Sequence, residues 1–258
     1  MNGEAPVQRR NTAWVAEMER SALVWLAARL PAAVTPNALT AIGMLGALIV
    51  VLGYLLAAGW PAMLWLASVG FVLNWFGDSL DGTVARVREI ERPHFGFFLD
   101  KCTDMLAHAL FAVGLGLSTL IRWELAMAGL ASFFMVSMLS LIRVGAGSSF
   151  DIAYFGIGMT EIRCMFVLLN SAVFFFPPQP IQAFGTSFTY PNLLVVVWIA
   201  GHVSVFLVVM IAEARRLAVV DPPRVIATSV RLRSEHRGTI RESTPQNAHS
   251  GDPIVDDW

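Results

Sequence analysis

Lysine is almost missing from this chain. Lys101 is the only one, and Asp, Glu, Lys and Arg together make up only 14% of 258 residues. Neither sign dominates, with 18 basic and 19 acidic residues and a net charge of −1, which argues against a nucleic-acid partner. Cysteine is scarce too. Cys102 and Cys164 lack paired-ligand spacing, so both read as reduced packing residues rather than a disulfide or zinc framework. The chain has no glycine-rich phosphate loop, no Ser-His-Asp arrangement and no internal repeat. The most telling absence is local: no Asp, Glu, Lys or Arg occurs from Asn37 to Gly77, or from Cys164 to Ala212. Each run is long enough for two membrane crossings at about 20 residues apiece.

What is present agrees with a membrane protein. The chain is 56% hydrophobic with a mean hydropathy of +0.62, too apolar for an ordinary soluble domain. Gly59-Trp60-Pro61 divides the first uncharged run, and Pro177-Pro178-Gln179-Pro180 divides the second. The pattern predicts spans at 37–58, 62–86, 95–121, 124–143, 161–176 and 192–214. Thr35 is placed to cap the first of them, with Pro36 at its first helical position. Upstream, Trp14, Met18, Ala22 and Trp25 fall on one helical face, with Glu17, Arg20 and Ser21 elsewhere. That predicts an amphipathic helix lying on the membrane, the alternative being a further buried helix. The first dozen residues have no apolar core of a signal peptide, so no cleaved leader is expected. From Val219 onward the composition turns polar, and a largely disordered soluble tail is expected.

The expected fold class is therefore all-α integral membrane, six transmembrane helices preceded by an amphipathic juxtamembrane helix. Its divisions are residues 1–34 (N-terminus with the interfacial helix), 35–217 (six-helix domain) and 218–258 (tail). Orientation follows from the basic residues. With both termini inside, the inner segments hold every Lys and Arg except Arg122, 17 of 18. That places both termini in the cytoplasm, across a plasma membrane if the cell is bacterial.

Against this apolar background stand four carboxylates: Asp78 and Asp81, spaced i,i+3, and Asp100 and Asp104, spaced i,i+4. Each pair lies on one face of its own helix, and the polar turn Arg88–Pro93 makes the two helices antiparallel neighbours. Ionised carboxylates at membrane depth cost several kcal/mol unless compensated, and four together call for cations. Oxygen ligands of this kind suit hard divalent ions. Gly82 leaves room beside Asp81 for a ligand. Gly96 would do the same on the facing helix or allow close helix contact, and Arg86 could reach an anionic group.

The run Asp78-x2-Asp81-Gly82-x2-Ala85-Arg86, then Gly96-x3-Asp100-x3-Asp104, resembles the signature of the CDP-alcohol phosphotransferase family. Its spacer is one residue longer than the family pattern and falls in the loop between helices. The resemblance implies an enzyme that moves a phosphoalcohol unit from a CDP-linked donor to an alcohol hydroxyl, releasing CMP, with one of the two substrates a lipid. It implies two divalent cations, Mg²⁺ or Mn²⁺, on Asp78, Asp81, Asp100 and Asp104, with Asp104 also the general base. Gly82, Ala85, Arg86 and Gly96 would lie along the CDP moiety, and a homodimer is expected. By the same analogy Arg143 and Arg163 are acceptor-phosphate candidates, the alternative being lipid-phosphate snorkelling. The lead expectation is transfer of a phosphatidyl group from CDP-diacylglycerol to a small polar alcohol or its phosphate. Transfer of phosphoethanolamine or phosphocholine from a CDP-aminoalcohol to diacylglycerol is the alternative within the family. An ion- or proton-coupled transporter is the alternative outside it. Thr160-Glu161 resembles a segment of aminoalcohol-transferring relatives, or is a helix cap. His108 either tunes Asp104 or is a satisfied buried histidine, and Lys101 should point away from the aspartates' shared face.

Overall fold

The computed structural model describes residues 9–10, 16–147, 150–151, 158–183 and 186–221. Seven helices follow in order: α1 (Ala16–Ala27), α2 (Pro36–Ala57), α3 (Met63–Val87), α4 (Pro93–Leu117), α5 (Trp123–Gly145), α6 (Met159–Phe175) and α7 (Tyr190–Val220). Two short strand pairs accompany them. Arg9–Arg10 runs parallel to Phe150–Asp151, and Ile181–Ala183 forms a hairpin with Thr186–Phe188 in the expected loop between the last two long helices. The chain divides into two units, Met1–Glu213 and Ala214–Trp258. Residues 222–258, most of the expected tail, lie outside the described residues.

Six long helices, α2 to α7, fall on the six segments expected as spans. Four of them, α2, α3, α5 and α7, are long and apolar enough to cross a membrane by themselves. α6 is shorter, at 17 residues, and α4 carries Asp100, Lys101 and Asp104 in its midst. Leu45, Leu48 and Leu52 on α2, Val69 and Val72 on α3, and Val197, Leu207 and Val208 on α7 are exposed. A soluble protein would not leave so many large apolar side chains uncovered, and these are the lipid-facing surfaces of an integral membrane protein.

The position of the site depends on how α2 crosses α3. Thr35 caps α2 as expected, accepting from the Ala38 N–H at 3.2 Å. Gly43, Gly46 and Gly53 on α2 meet Ala67, Gly70, Asn74 and Gly77 on α3 nearly backbone to backbone. A Cβ at Gly70 would lie 2.7 Å from the Val50 nitrogen, and one at Gly46 would lie 2.7 Å from the Gly70 oxygen. Small residues are what let two membrane helices approach this closely. Gly70→Leu should therefore destabilise the fold by about 1–3 kcal/mol through overpacking. Gly201, with nothing near its Cβ position, should accept the same change within about 0.5 kcal/mol. Thermal unfolding of both variants in detergent checks the contrast; equal melting temperatures would contradict it.

Above this crossing, Phe71 stacks on Phe166 at 5.0 Å and tilts against Phe111 at 4.7 Å, joining α3 to α6 and α4. A buried polar bolt fixes α6 further. Tyr54 donates to Asn170 Oδ1 at 2.9 Å, and the Asn170 amide donates to Ser68 Oγ at 3.1 Å. Arg163 lies two turns before Asn170 on the same face, so the bolt sets its position.

α1 has two apolar faces. Leu23 and Ala27 are buried against Leu39, Leu80 and Val84, whereas Val24 and Trp25 are exposed. Ala22 is exposed beside Trp25 as an interfacial face requires, and the Arg29 guanidinium lies 3.9 Å from the Trp25 ring centre. Trp14 and the Met18 side chain lie outside the described residues.

Candidate active site

A short turn joins α3 to α4, and acidic side chains of the two helices come together. Asp78, Asp100 and Asp104 each offer an oxygen, all within 4.8 Å of one another. Asp81 stands beside this trio, since it lines the same cleft with Asp78 and Asp104. Its Oδ2 accepts from Thr40 Oγ1 at 2.6 Å and its Oδ1 from the Gly82 N–H, so its carboxylate is turned toward α2. Thr40, Gly43, Met44, Asn74, Thr103 and Ala107 complete the lining. Three carboxylates converging from two helices form a hard oxygen donor set, which fits divalent-cation binding.

Two cationic side chains lie among these oxygens. Lys101 Nζ is 3.0 Å from Asp100 Oδ2 and 2.7 Å from Asp104 Oδ2. This corrects the expectation that Lys101 points away. Its Cα does face aside, but the long flexible stem folds back along the helix to the two carboxylates flanking it. Arg163 is buried, donating from Nη2 to Asp78 Oδ2 at 2.7 Å and from Nε to Asn74 Oδ1 at 2.9 Å. The Asn74 amide in turn donates to the Gly43 oxygen at 3.0 Å. The guanidinium is thus fixed between α3 and α6 at the edge of the acidic trio.

The other expected residues are more scattered. Ala85 is half-buried one turn after Asp81, and Arg86 is exposed, donating to Thr83 Oγ1 at 3.0 Å. Only the Arg86 guanidinium lies near a Cβ placed on Gly82, and nothing lies within 4 Å of one on Gly96. Gly96 therefore leaves open space rather than making a close helix contact. Arg143 pairs with α7, its Nε 3.2 Å from Glu213 Oε2.

His108 bonds the Asp104 backbone oxygen at 2.6 Å through Nδ1 and stacks on Phe133 at 4.3 Å, a satisfied buried ring. Thr160 is not the cap of α6. Gly158 holds that position, with its N–H donating to Glu161 Oε2 at 2.9 Å, and the Thr160 hydroxyl donates instead to Glu19. Cys102 and Cys164 are exposed rather than packed inside. The sequence reading missed Thr40, Asn74 and Glu19. Of these only Thr40 had a local signal, a hydroxyl one turn into a capped helix.

Comparison with known proteins agrees with this geometry. A family model described as CDP-alcohol phosphatidyltransferase matches residues 33–187, a range that holds all four aspartates and Arg163. The archaetidylinositol phosphate synthase of Pyrococcus horikoshii is 36% identical over 104 residues, which is 40% of this chain and 52% of that relative. The chain thus spans about half the length of the curated relative that it matches.

Proposed function

The chain belongs to the CDP-alcohol phosphatidyltransferase family and is a transferase, and on that premise we propose that it moves a phosphatidyl group from CDP-diacylglycerol to a small alcohol phosphate, releasing CMP. The observation that carries the choice of acceptor is Arg163, a buried guanidinium 2.7 Å from Asp78 beside the acidic trio. A planar fork of this kind is suited to a phosphate brought to the edge of the acidic centre. The matched relative's name, which describes a phosphate-bearing product, supports the same reading. Arg143 is the weaker acceptor candidate, because Glu213 engages it.

Asp78, Asp100 and Asp104, with Asp81 beside them, would hold two divalent cations, Mg²⁺ or Mn²⁺. When bound, these neutralise the donor's pyrophosphate and stabilise charge on entering and leaving oxygens. Gly82, Ala85, Arg86 and Gly96 would lie along the CDP moiety, with open space beside Gly96. Asp104 takes the proton of the acceptor hydroxyl. The hydroxyl oxygen then bonds to the β-phosphorus of the donor, the one esterified to diacylglycerol, and the bond from that phosphorus to the CMP oxygen breaks. Lys101 holds the Asp100 and Asp104 carboxylates in place along α4.

Helices α2 to α7 span the membrane, with the cleft and both termini on the cytoplasmic side, and two copies associate as a homodimer. A reporter fused after Trp258 and another inserted near residue 180 should then lie on opposite sides of the membrane. Finding both on one side would undo the six-span arrangement. Purified protein supplied with Mg²⁺ and CDP-diacylglycerol should release CMP faster with inositol phosphate or glycerol phosphate than with the parent alcohols. Product formed only from CDP-ethanolamine or CDP-choline with diacylglycerol would overturn the proposal in favour of the aminoalcohol reading.

A further inference from the structure

One half-buried junction lies outside the cleft and joins three elements. The Glu19 carboxylate of α1 accepts from Trp75 Nε1 at 2.7 Å and Ser79 Oγ at 3.3 Å, both on α3. It also accepts from Thr160 Oγ1 on α6, at 2.9 Å to Oε1 and 3.1 Å to Oε2. Trp75 and Ser79 each follow a residue that holds Arg163, namely Asn74 and Asp78. Thr160 stands one turn before Arg163 on α6. Two adjacent stripes of α3 therefore grip the first turns of α6, one through Arg163 directly and the other through Glu19.

We infer that Glu19 is a positioning residue, by which the membrane-surface helix α1 holds the start of α6 and so keeps Arg163 in register with the acidic trio. The inference rests on the reading of Arg163 as the acceptor-phosphate group. Asn74 and the Asn170 bolt hold Arg163 from α3 and α2, and a restraint from α1 one turn before it would fix the start of α6 on a third side. The Glu19–Thr160 bond supplies it without touching the reacting atoms. Burial of Leu23 and Ala27 against Leu80 and Val84 anchors the rest of α1 to α3, so the restraint has a fixed base.

The test uses the full chain in lipid nanodiscs with Mg²⁺, CDP-diacylglycerol and inositol phosphate, reading CMP. Glu19→Ala and Thr160→Val should each raise the acceptor KM at least about tenfold while changing kcat by less than about threefold. Combining them should add little to the larger single effect, and Thr160→Ser should restore parental KM. An unchanged KM in both variants, where Arg163→Ala raises it, would overturn the role of Glu19 alone. A fall in kcat at constant KM, or no rescue by Thr160→Ser, would show a merely structural contact and overturn it too. If the parent itself releases no CMP, the proposed function fails, and the junction is judged by a second measurement. Glu19→Cys with Thr160→Cys, in a chain carrying Cys102→Ser and Cys164→Ser, should be joined in membranes by a short bifunctional thiol reagent. Absence of that link overturns the inference whatever the activity.

Discussion

Asp100→Asn and Asp104→Asn should each lower turnover by at least about a hundredfold, and Asp78→Asn and Asp81→Asn should do the same, since on the proposed reading each removes a ligand or the base of a phosphoryl-transfer centre. The variants differ in how they fail. Asp78→Asn, Asp81→Asn and Asp100→Asn should raise the Mg²⁺ or Mn²⁺ concentration needed for half-maximal rate. Asp104→Asn should retain donor binding and lose the chemical step if Asp104 is the base. Steady-state rates across a metal titration, with donor binding measured separately, check this division. Two or more variants with near-parental turnover at saturating metal would remove the carboxylates from the mechanism.

Stability divides the same four variants differently. Crowded carboxylates repel, and neutralising one of them relieves that repulsion in chelator. At Asp100 and Asp104 the change also removes one ion pair with Lys101, which keeps the other carboxylate, so the loss there should be small. Asp78 is the exception. It is the ionic partner of buried Arg163, so Asp78→Asn leaves a guanidinium with only neutral acceptors among its described partners, at about 1–3 kcal/mol. Metal-free thermal melts should rank Asp78→Asn below the other three.

Arg163→Ala carries the second large effect. A charge-assisted bond to an anion contributes about 1.5–3 kcal/mol, so if Arg163 holds the acceptor phosphate its loss should raise the acceptor KM roughly 10- to 100-fold. Arg163→Lys recovers only part of this, because an ammonium cannot reproduce the planar fork that meets Asn74 and Asp78 together. The donor KM should change little in both variants. An equal rise in donor and acceptor KM would place Arg163 on the donor phosphates instead.

The helices were legible in the chain wherever local chemistry decided them. Thr35-Pro36 and Gly59-Trp60-Pro61 bracket α2, and the observed Pro36–Ala57 follows the expected 37–58 closely. α4 was expected to run to residue 121 but ends at Leu117. There the Ser118 hydroxyl bonds the Leu115 oxygen and accepts from the Leu120 N–H, competing with the helical ladder. α7 continues to Val220, past the expected 214, through a run of helix-compatible residues that meets no breaker before Pro222-Pro223.

Within the site, the aspartates were legible because i,i+3 and i,i+4 spacing fixes a shared face. Lys101 was misjudged because that rule describes where Cα points, not where a long side chain is drawn by two neighbouring charges. The partners of Arg163, Arg143 and Glu19 had no local sign, since each contact joins residues roughly 60 to 140 positions apart. Periodicity finds faces, and only the packing of α6 and α7 selects which faces meet.

The central claim is that the acidic cleft drives metal-dependent transfer from a CDP-linked lipid. The most direct measurement follows CMP and phosphatidyl product together from CDP-diacylglycerol and inositol phosphate, first in chelator and then with Mg²⁺ or Mn²⁺ restored. The account predicts no product in chelator, then equal molar amounts of CMP and phosphatidylated acceptor once the cation returns. CMP released without lipid product, or transfer that continues undiminished in chelator, would contradict it.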